Sequence, residues 1–167
     1  MRRYLWPLFA IILLAGTSCQ QNIEKEKEAI LAVFQEEADA TVANDKESLF
    51  ALHVKDSLES RLELGIYGYN TYKGWDAVQT LLGDFVKDDQ QIADPVNSKE
   101  NVILKVTGNS AWLTCDNIWQ WTVDGHQGGY NNIQISFLEK IKGEWKISFS
   151  AYYTKPEHFK EIEQSIE

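Results

Sequence analysis

The stretch Asn101-Val102-Ile103-Leu104-Lys105-Val106-Thr107-Gly108-Asn109-Ser110-Ala111-Trp112-Leu113-Thr114-Cys115 sets Val102, Leu104 and Val106 at every second position, then Ala111, Leu113 and Cys115 likewise. Alternation with a period of two marks a strand with one buried face. The Gly108-Asn109 pair between the two runs is a two-residue hairpin signal. Such a turn pairs Val106 with Ala111 and Leu104 with Leu113, so apolar side chains meet on one face. The second strand runs to about Val123. A Gly-rich connection follows, Asp124-Gly125-His126-Gln127-Gly128-Gly129. Ile133, Ile135 and Phe137 mark a third strand, and Trp145, Ile147 and Phe149 a fourth.

For the last hairpin, a three-residue loop Lys142-Gly143-Glu144 pairs Ile141 with Trp145, Phe137 with Phe149 and Ile135 with Ala151. A two-residue loop sets Phe137 against Ser148 and loses the apolar face. The expected inner face is therefore Val102, Leu104, Val106, Ala111, Leu113, Cys115, Asn117, Trp119, Trp121, Ile133, Ile135, Phe137, Trp145, Ile147, Phe149 and Tyr153.

Upstream of the strands the period changes. From Ile23 to Asn44, residues Ile23, Ile30, Val33, Phe34, Ala38 and Thr41 share one face of a helical wheel, with no Gly or Pro to interrupt them. Asp45 caps a short helix, Lys46 to His53. Asp56 to Tyr72 reads as an extended segment and loop. Trp75, Val78, Leu82, Phe85 and Val86 recur at helical spacing and predict a third helix, Trp75 to Lys87. Asp88 to Ser98, polar and carrying Pro95, reads as a loop. Helices followed by an antiparallel meander make an α+β domain, one sheet with the helices on one face.

Composition agrees with one globular domain. The 167 residues are 44% hydrophobic and 25% charged, with three prolines and two cysteines, which excludes collagen, low-complexity disorder and a disulfide scaffold. The net charge of −9 makes nucleic acid a poor partner, because phosphate-backbone binding draws on clustered Lys and Arg. Met1-Arg2-Arg3, the apolar run Tyr4 to Ala15 and the small residues Gly16-Thr17-Ser18 have the layout of a secretory signal, too short to span a bilayer stably. Cys19 after small residues resembles the lipobox of bacterial lipoproteins, although Gly16 stands where a leucine is usual. The alternative is a plain signal peptide cleaved nearby. The lipobox reading divides the chain into a signal (1–18), a lipidated tether at Cys19 (19–22), a folded domain (23–155) and a polar tail (156–167). It places the protein in the bacterial cell envelope, on the outer membrane, periplasmic or surface side. Removing residues 1–18 takes away Arg2 and Arg3 and no acid, so −9 becomes −11; lipid chains, not a basic patch, would hold it to a membrane. Cys115 is then alone and expected to be buried.

In this order the elements resemble the nuclear-transport-factor-2-like superfamily, which includes the SnoaL-like polyketide cyclases and ketosteroid isomerase. The resemblance rests on the long first helix, Asn44-Asp45-Lys46-Glu47-Ser48-Leu49, Lys73-Gly74-Trp75-Asp76-Ala77-Val78, and the closing strands Phe137-Leu138-Glu139-Lys140 and Gly143-Glu144-Trp145-Lys146-Ile147. It implies a cone-shaped, bent antiparallel sheet with three N-terminal helices on its concave face and a pocket at the wide end. It implies no single activity, since members include isomerases, dehydratases, cyclases and binding modules.

His53, His126 and His158 have no partner at metal-ligand spacing, so neither a metal nor a cofactor is expected. No nucleophile elbow, phosphate loop or Cys–His pair is present. The expected pocket set is Glu37, Tyr69, Asn117, Trp119, Trp121 and Tyr153. Asn117 and Tyr153 are polar groups on the inner face; Trp119 and Trp121 are aromatic walls for a flat or sugar-like ligand. Glu37 falls between Ile30 and Val33 on the wheel, where desolvation would favour its protonated form and make it a general base. A structural ion pair or a hydrogen bond to a strand-end backbone amide is the plainer account of it. The leading reading is a lipid-anchored, non-catalytic domain binding a small molecule or an envelope protein; the alternative is a small isomerase, dehydratase or cyclase with Glu37 as base. Trp112, Ile118, Leu138 and Tyr152 lie opposite the core and are expected to form a homodimer face.

Overall fold

The computed structural model describes residues 5–65, 68–86, 93–123 and 126–154, with side chains described for 23–65, 68–86, 95–122 and 127–154. The elements are α1 (Leu5–Val42), α2 (Lys46–Ala51), β1 (Ser60–Gly65), β2 (Gly68–Lys73), α3 (Trp75–Phe85), β3 (Ala93–Thr107), β4 (Ser110–Val123), β5 (His126–Ile141) and β6 (Glu144–Thr154). The six strands form one curved, unclosed sheet in the order β2-β1-β6-β5-β4-β3. Every neighbouring pair is antiparallel except β1 and β6. The helices precede the long strands and pack on one face, as the sequence predicts. α1 is longer than the expected 23–44 and runs through 19–22, where a tether was expected; Gln20-Gln21-Asn22 contains no residue that stops a helix. Among the described residues no helix is long and apolar enough to cross a membrane.

The core sits between α1 and the sheet. Ile30, Val33 and Phe34 of α1 meet Leu113 and Cys115 of β4, Leu138 of β5, and Trp145 and Ile147 of β6. A second cluster joins α2 to α3 through Leu49, Val78, Leu82 and Val86. Glu26 fastens the helix to the last hairpin, accepting hydrogen bonds from Lys140 Nζ at 2.6 Å and Trp145 Nε1 at 2.8 Å. Asp45 caps α2 by accepting from the Ser48 amide.

The first long hairpin has the expected register, with Val106 opposite Ala111, Leu104 opposite Leu113, Lys105 opposite Trp112 and Ile103 opposite Thr114. The last hairpin differs. Its turn is the two residues Lys142-Gly143, with φ of 52° and 91°, so Ile141 faces Glu144 and Lys140 faces Trp145. Primed turns need positive φ at both central residues, and their twist matches that of the strands. The apolar face is then recovered by a β-bulge: Leu138 pairs with Ile147 while Phe137 pairs with Phe149, leaving Ser148 as the extra residue.

The two-residue turn inverts the expected inner face of β5, and the bulge inverts that of β6 beyond Ser148. Asn132, Gln134, Ser136 and Leu138 point inward and are buried, as is Ser150; Ile135, Phe137 and Tyr153 are on the outer face and exposed. A second bulge at Asn101-Val102, with Asn101 at φ 51°, sets two residues against Cys115 and turns Val102 outward. Segment 93–98, expected as part of a loop, is strand, and Pro95 is accommodated because β3 is an edge. Segment 126–129 is likewise strand rather than connection, while Asp56 to Tyr72 resolves into the β1–β2 hairpin. The tail 156–167 and His158 lie outside the described residues.

Candidate functional site

Beyond the apolar core, toward the far ends of β4 and β5, the inner face becomes polar and then aromatic. A cavity of about 600 Å³ opens there between α1, α3 and the sheet. Its floor is a ladder of amides across β3, β4 and β5. Lys99 Nζ donates to the side-chain oxygens of Asn97, Asn117 and Gln134 at 3.3, 3.1 and 3.1 Å. Asn117 Nδ2 donates to Asn132 Oδ1 at 3.1 Å, and Gln134 Nε2 to the Tyr152 hydroxyl at 3.1 Å. Burial lowers the pKa of Lys99, with the charge of Glu37 acting against it.

The wall is aromatic. Tyr130 stands between Trp119 and Trp121, its ring centroid 6.4 and 5.6 Å from theirs. Trp121 reaches its position because its partner across the ladder is Gly128, where a Cβ would come within 2.6 Å of the indole nitrogen. Arg61 of β1 lies across the rings of Phe85 and Tyr152, at 5.0 and 4.3 Å, and its Nε donates to Glu63 Oε1 at 3.2 Å. Burial pushes Tyr130 up to about 12 and raises Tyr152 as well.

Glu37 projects from α1 into this cavity and is buried. Among the described residues no side chain or amide donates to its carboxylate; His53 Nε2 lies 3.7 Å from Oε1. His53 lies behind Glu37, where residues 52–54 run alongside β6: Val54 donates to the Ile147 carbonyl and Ile147 to that of Leu52, both at 2.9 Å. On its other side His53 Nδ1 is 2.6 Å from Glu59 Oε1. Glu59 is held by Asp56, whose carboxylate accepts from the amides of Leu58 and Glu59. Burial pushes His53 down to about 3 and Glu59 up to about 8. The close contact is thus a hydrogen bond in which protonated Glu59 donates to Nδ1, rather than an ion pair. That tautomer directs Nε2–H toward Glu37.

Of the expected pocket residues, Glu37, Asn117, Trp119 and Trp121 line the cavity. Tyr69 is exposed on the edge strand β2, and Tyr153 faces outward because the bulge gives its inward place to Tyr152. The expected dimer face changes too: Trp112 is on the outer face, but the two-residue turn puts Leu138 in the core and the bulge puts Tyr152 in the cavity. Ile118 keeps outward parity and is half-buried. The sequence reading did not single out His53, Glu59, Arg61 or Lys99. For His53 a signal existed, since a histidine between Leu52 and Val54 in an apolar run must find buried partners.

The architecture as a whole matches a set of solved structures. The fold is that of the nuclear-transport-factor-2-like proteins. One such protein, from Novosphingobium aromaticivorans, is 17% identical with a TM-score of 0.66, covering 86% of this chain and 90% of that one. A scytalone dehydratase-like protein from the same organism is also 17% identical with a TM-score of 0.66, covering 81% and 88%. A nuclear transport factor 2 superfamily protein from Salmonella enterica is 15% identical with a TM-score of 0.61, covering 78% and 91%. No family model matches the sequence, and no curated protein does. At these identities the likeness is one of nuclear-transport-factor-2-like architecture, and what the cavity does has to be argued from its own residues.

Proposed function

We propose that the protein is a lipid-anchored component of the bacterial cell envelope, held through Cys19, whose domain binds a small organic molecule in its cavity without transforming it. The observation that carries the binding reading is Glu37, a carboxylate 8% exposed on the wall of a 600 Å³ cavity, with no hydrogen-bond donor among the described residues. A carboxylate that lines an open cavity takes its hydrogen bonds from whatever occupies that space, and a donor on a bound ligand is a partner that the cavity leaves room for. Its volume lies within the range of small-molecule sites. The anchor is supported by Met1-Arg2-Arg3, the apolar run and Cys19. A second copy is the partner proposed for the outer face of the sheet.

A second reading, a small isomerase, dehydratase or cyclase with Glu37 as base, is favoured by the His53–Glu59 pair behind that carboxylate, which would steady its charge.

One experiment addresses both. Tryptophan fluorescence of the purified protein is titrated with a metabolite library, and hits are recovered after long incubation. Binding weakened at least tenfold by Glu37→Gln, with the compound returned unchanged, is the expected result; a converted compound would select the enzyme. Cys19→Ser should release the protein from membranes and leave the titration unaltered. Hits that bind Glu37→Gln as tightly as the natural chain would remove the cavity reading.

A further inference from the structure

The hydrogen-bonding groups that the protein leaves open toward the cavity, taken with their charges, define a ligand class. Among the described residues that line the cavity, the charged acceptors without a donor are the Glu37 carboxylate and one oxygen of Glu63, whose other oxygen takes the Arg61 Nε bond. Open donors include the terminal nitrogens of Arg61 and the amide Nδ2 of Asn132, whose oxygen is already used by Asn117. The Asn44 amide and the hydroxyls of Tyr130 and Thr154 add neutral groups that both donate and accept. The Tyr152 hydroxyl accepts from Gln134 and keeps its proton, and burial holds it in the neutral form. Lys99 differs: its three protons are all spent on amide oxygens.

Donors and acceptors are therefore interleaved around one space. Two carboxylates, Glu37 and Glu63, stand against two cations, Arg61 and Lys99. An anionic ligand would meet the carboxylates and a cationic one the guanidinium and ammonium, each largely buried by the protein. A flat hydrocarbon would leave Glu37, Asn132 and the Arg61 nitrogens unpartnered at full desolvation cost. A hydroxyl both donates and accepts and carries no charge, and several of them on one ring match such an interleaved set. The rings of Trp119, Tyr130 and Trp121 in turn offer π-faces to the C–H face of a ring.

We propose that the cavity takes a neutral, polyhydroxylated ring of mono- or disaccharide size, stacked on the Trp119–Trp121 wall and hydrogen-bonded to Glu37 and Asn132. The inference rests on the reading of the cavity as a binding site and names what that site selects.

The test is calorimetric titration of the full detergent-solubilised chain, against empty micelles, with three sets of probes. Glucose, galactose, N-acetylglucosamine and maltose are the neutral rings. Glucuronate and glucosamine are charged versions of the same ring, and 2-naphthol is a flat apolar molecule. The expected result is that at least one neutral sugar binds tenfold or more tighter than either charged counterpart, and that Trp119→Leu and Asn132→Leu each weaken it at least tenfold. Thermal melting checks that the variants fold, and Trp121→Leu replaces either one that does not. Binding of 2-naphthol but of no sugar would overturn this inference and leave the binding site standing. Preference for a charged ring, or sugar binding unmoved by the folded variants, would overturn it too. No heat from any probe would count against the binding site and this inference together.

Discussion

A glutamate and a histidine 2.6 Å apart ordinarily form an ion pair, yet burial drives His53 down to about 3 and lifts Glu59 to about 8. The neighbouring charges act in the same sense: Arg61 and Lys55 oppose a charge on His53, and Asp56 and Glu37 oppose one on Glu59, with only Lys55 favouring it. In the unfolded chain the two groups return to 6.5 and 4.5. Between pH 4.5 and 6.5 each state holds one proton on the pair, and stability is level. From 6.5 to 8 the folded chain still holds the Glu59 proton that the unfolded chain has lost, so stability falls as pH rises. From 4.5 to 3 the unfolded chain also takes up the Glu59 proton and holds two, while the folded chain, with His53 still neutral, holds one, so stability falls as pH drops. Each limb is worth on the order of 2 kcal/mol. Urea unfolding at pH 6 and pH 8.5 should show the alkaline loss in the natural chain, while Glu59→Gln, which keeps a donor to Nδ1, should lose that limb. An equal fall in the variant would assign the limb to other groups. At this scale the sequence revealed Glu37, because one helix fixes its direction by arithmetic. It hid His53 and Glu59, because their meeting depends on how residues 52–59 turn under the sheet.

Elements were legible where a local rule decides them. Gly108-Asn109 fixes its hairpin and the 3.6-residue period fixes α3. They were lost where a single inserted residue decides them. Ser148 is that residue in β6, and it sends Tyr152 rather than Tyr153 into the cavity and Phe149 rather than Ser150 to the outer face. A period-two pattern carries no mark of where a bulge falls, and Ile133, Ile135 and Phe137 alternate equally well on either face. The two glycines at the start of β5 were read as loop chemistry, but they serve close approach within a strand. A Cβ at Gly128 would sit 2.6 Å from the Trp121 indole nitrogen, a side chain able to move; a Cβ at Gly129 would sit 2.5 Å from the Trp119 carbonyl oxygen, which cannot move without the strand. Gly128→Ala should therefore keep the melting temperature near that of the natural chain and weaken ligand binding by shifting Trp121. Gly129→Ala should destabilise by roughly 1–3 kcal/mol through strained pairing. Paired melting and binding curves check both, and the reverse ranking would mean that Trp121 is not part of the working wall.

The molecule as a whole has two faces of opposite character. The face toward the helices carries the core and the polar cavity, while the outer face of the sheet carries a contiguous apolar patch. Trp112, Phe137 and Phe149 lie side by side across β4, β5 and β6, with the two phenylalanine rings edge to face at 5.8 Å. Ile103, Thr114, Ile135 and Ala151 form the adjoining row. Phe137 is 48% exposed and Ile103 58%. Soluble monomers rarely leave so continuous an apolar surface open, and aromatic anchors among Thr and Ser neighbours have the composition of an interface. The sequence reading expected pairing through the outer face; the two-residue turn and the bulge together move its centre from Leu138 and Tyr152 to Phe137 and Ile135, and Trp112 stays. Two copies meeting through this patch would leave both cavities open, because the cavities lie on the other side of the sheet. Residues 20–167 should accordingly run as a dimer in light scattering at concentrations well above micromolar. Phe137→Glu, which sets a carboxylate between Trp112 and Phe149, should give a folded monomer with unchanged ligand binding, whereas Leu138→Glu should fail to fold because it charges the core. A natural chain that is monomeric at those concentrations, or a Phe137→Glu dimer as tight as the natural one, would exclude this face as the contact.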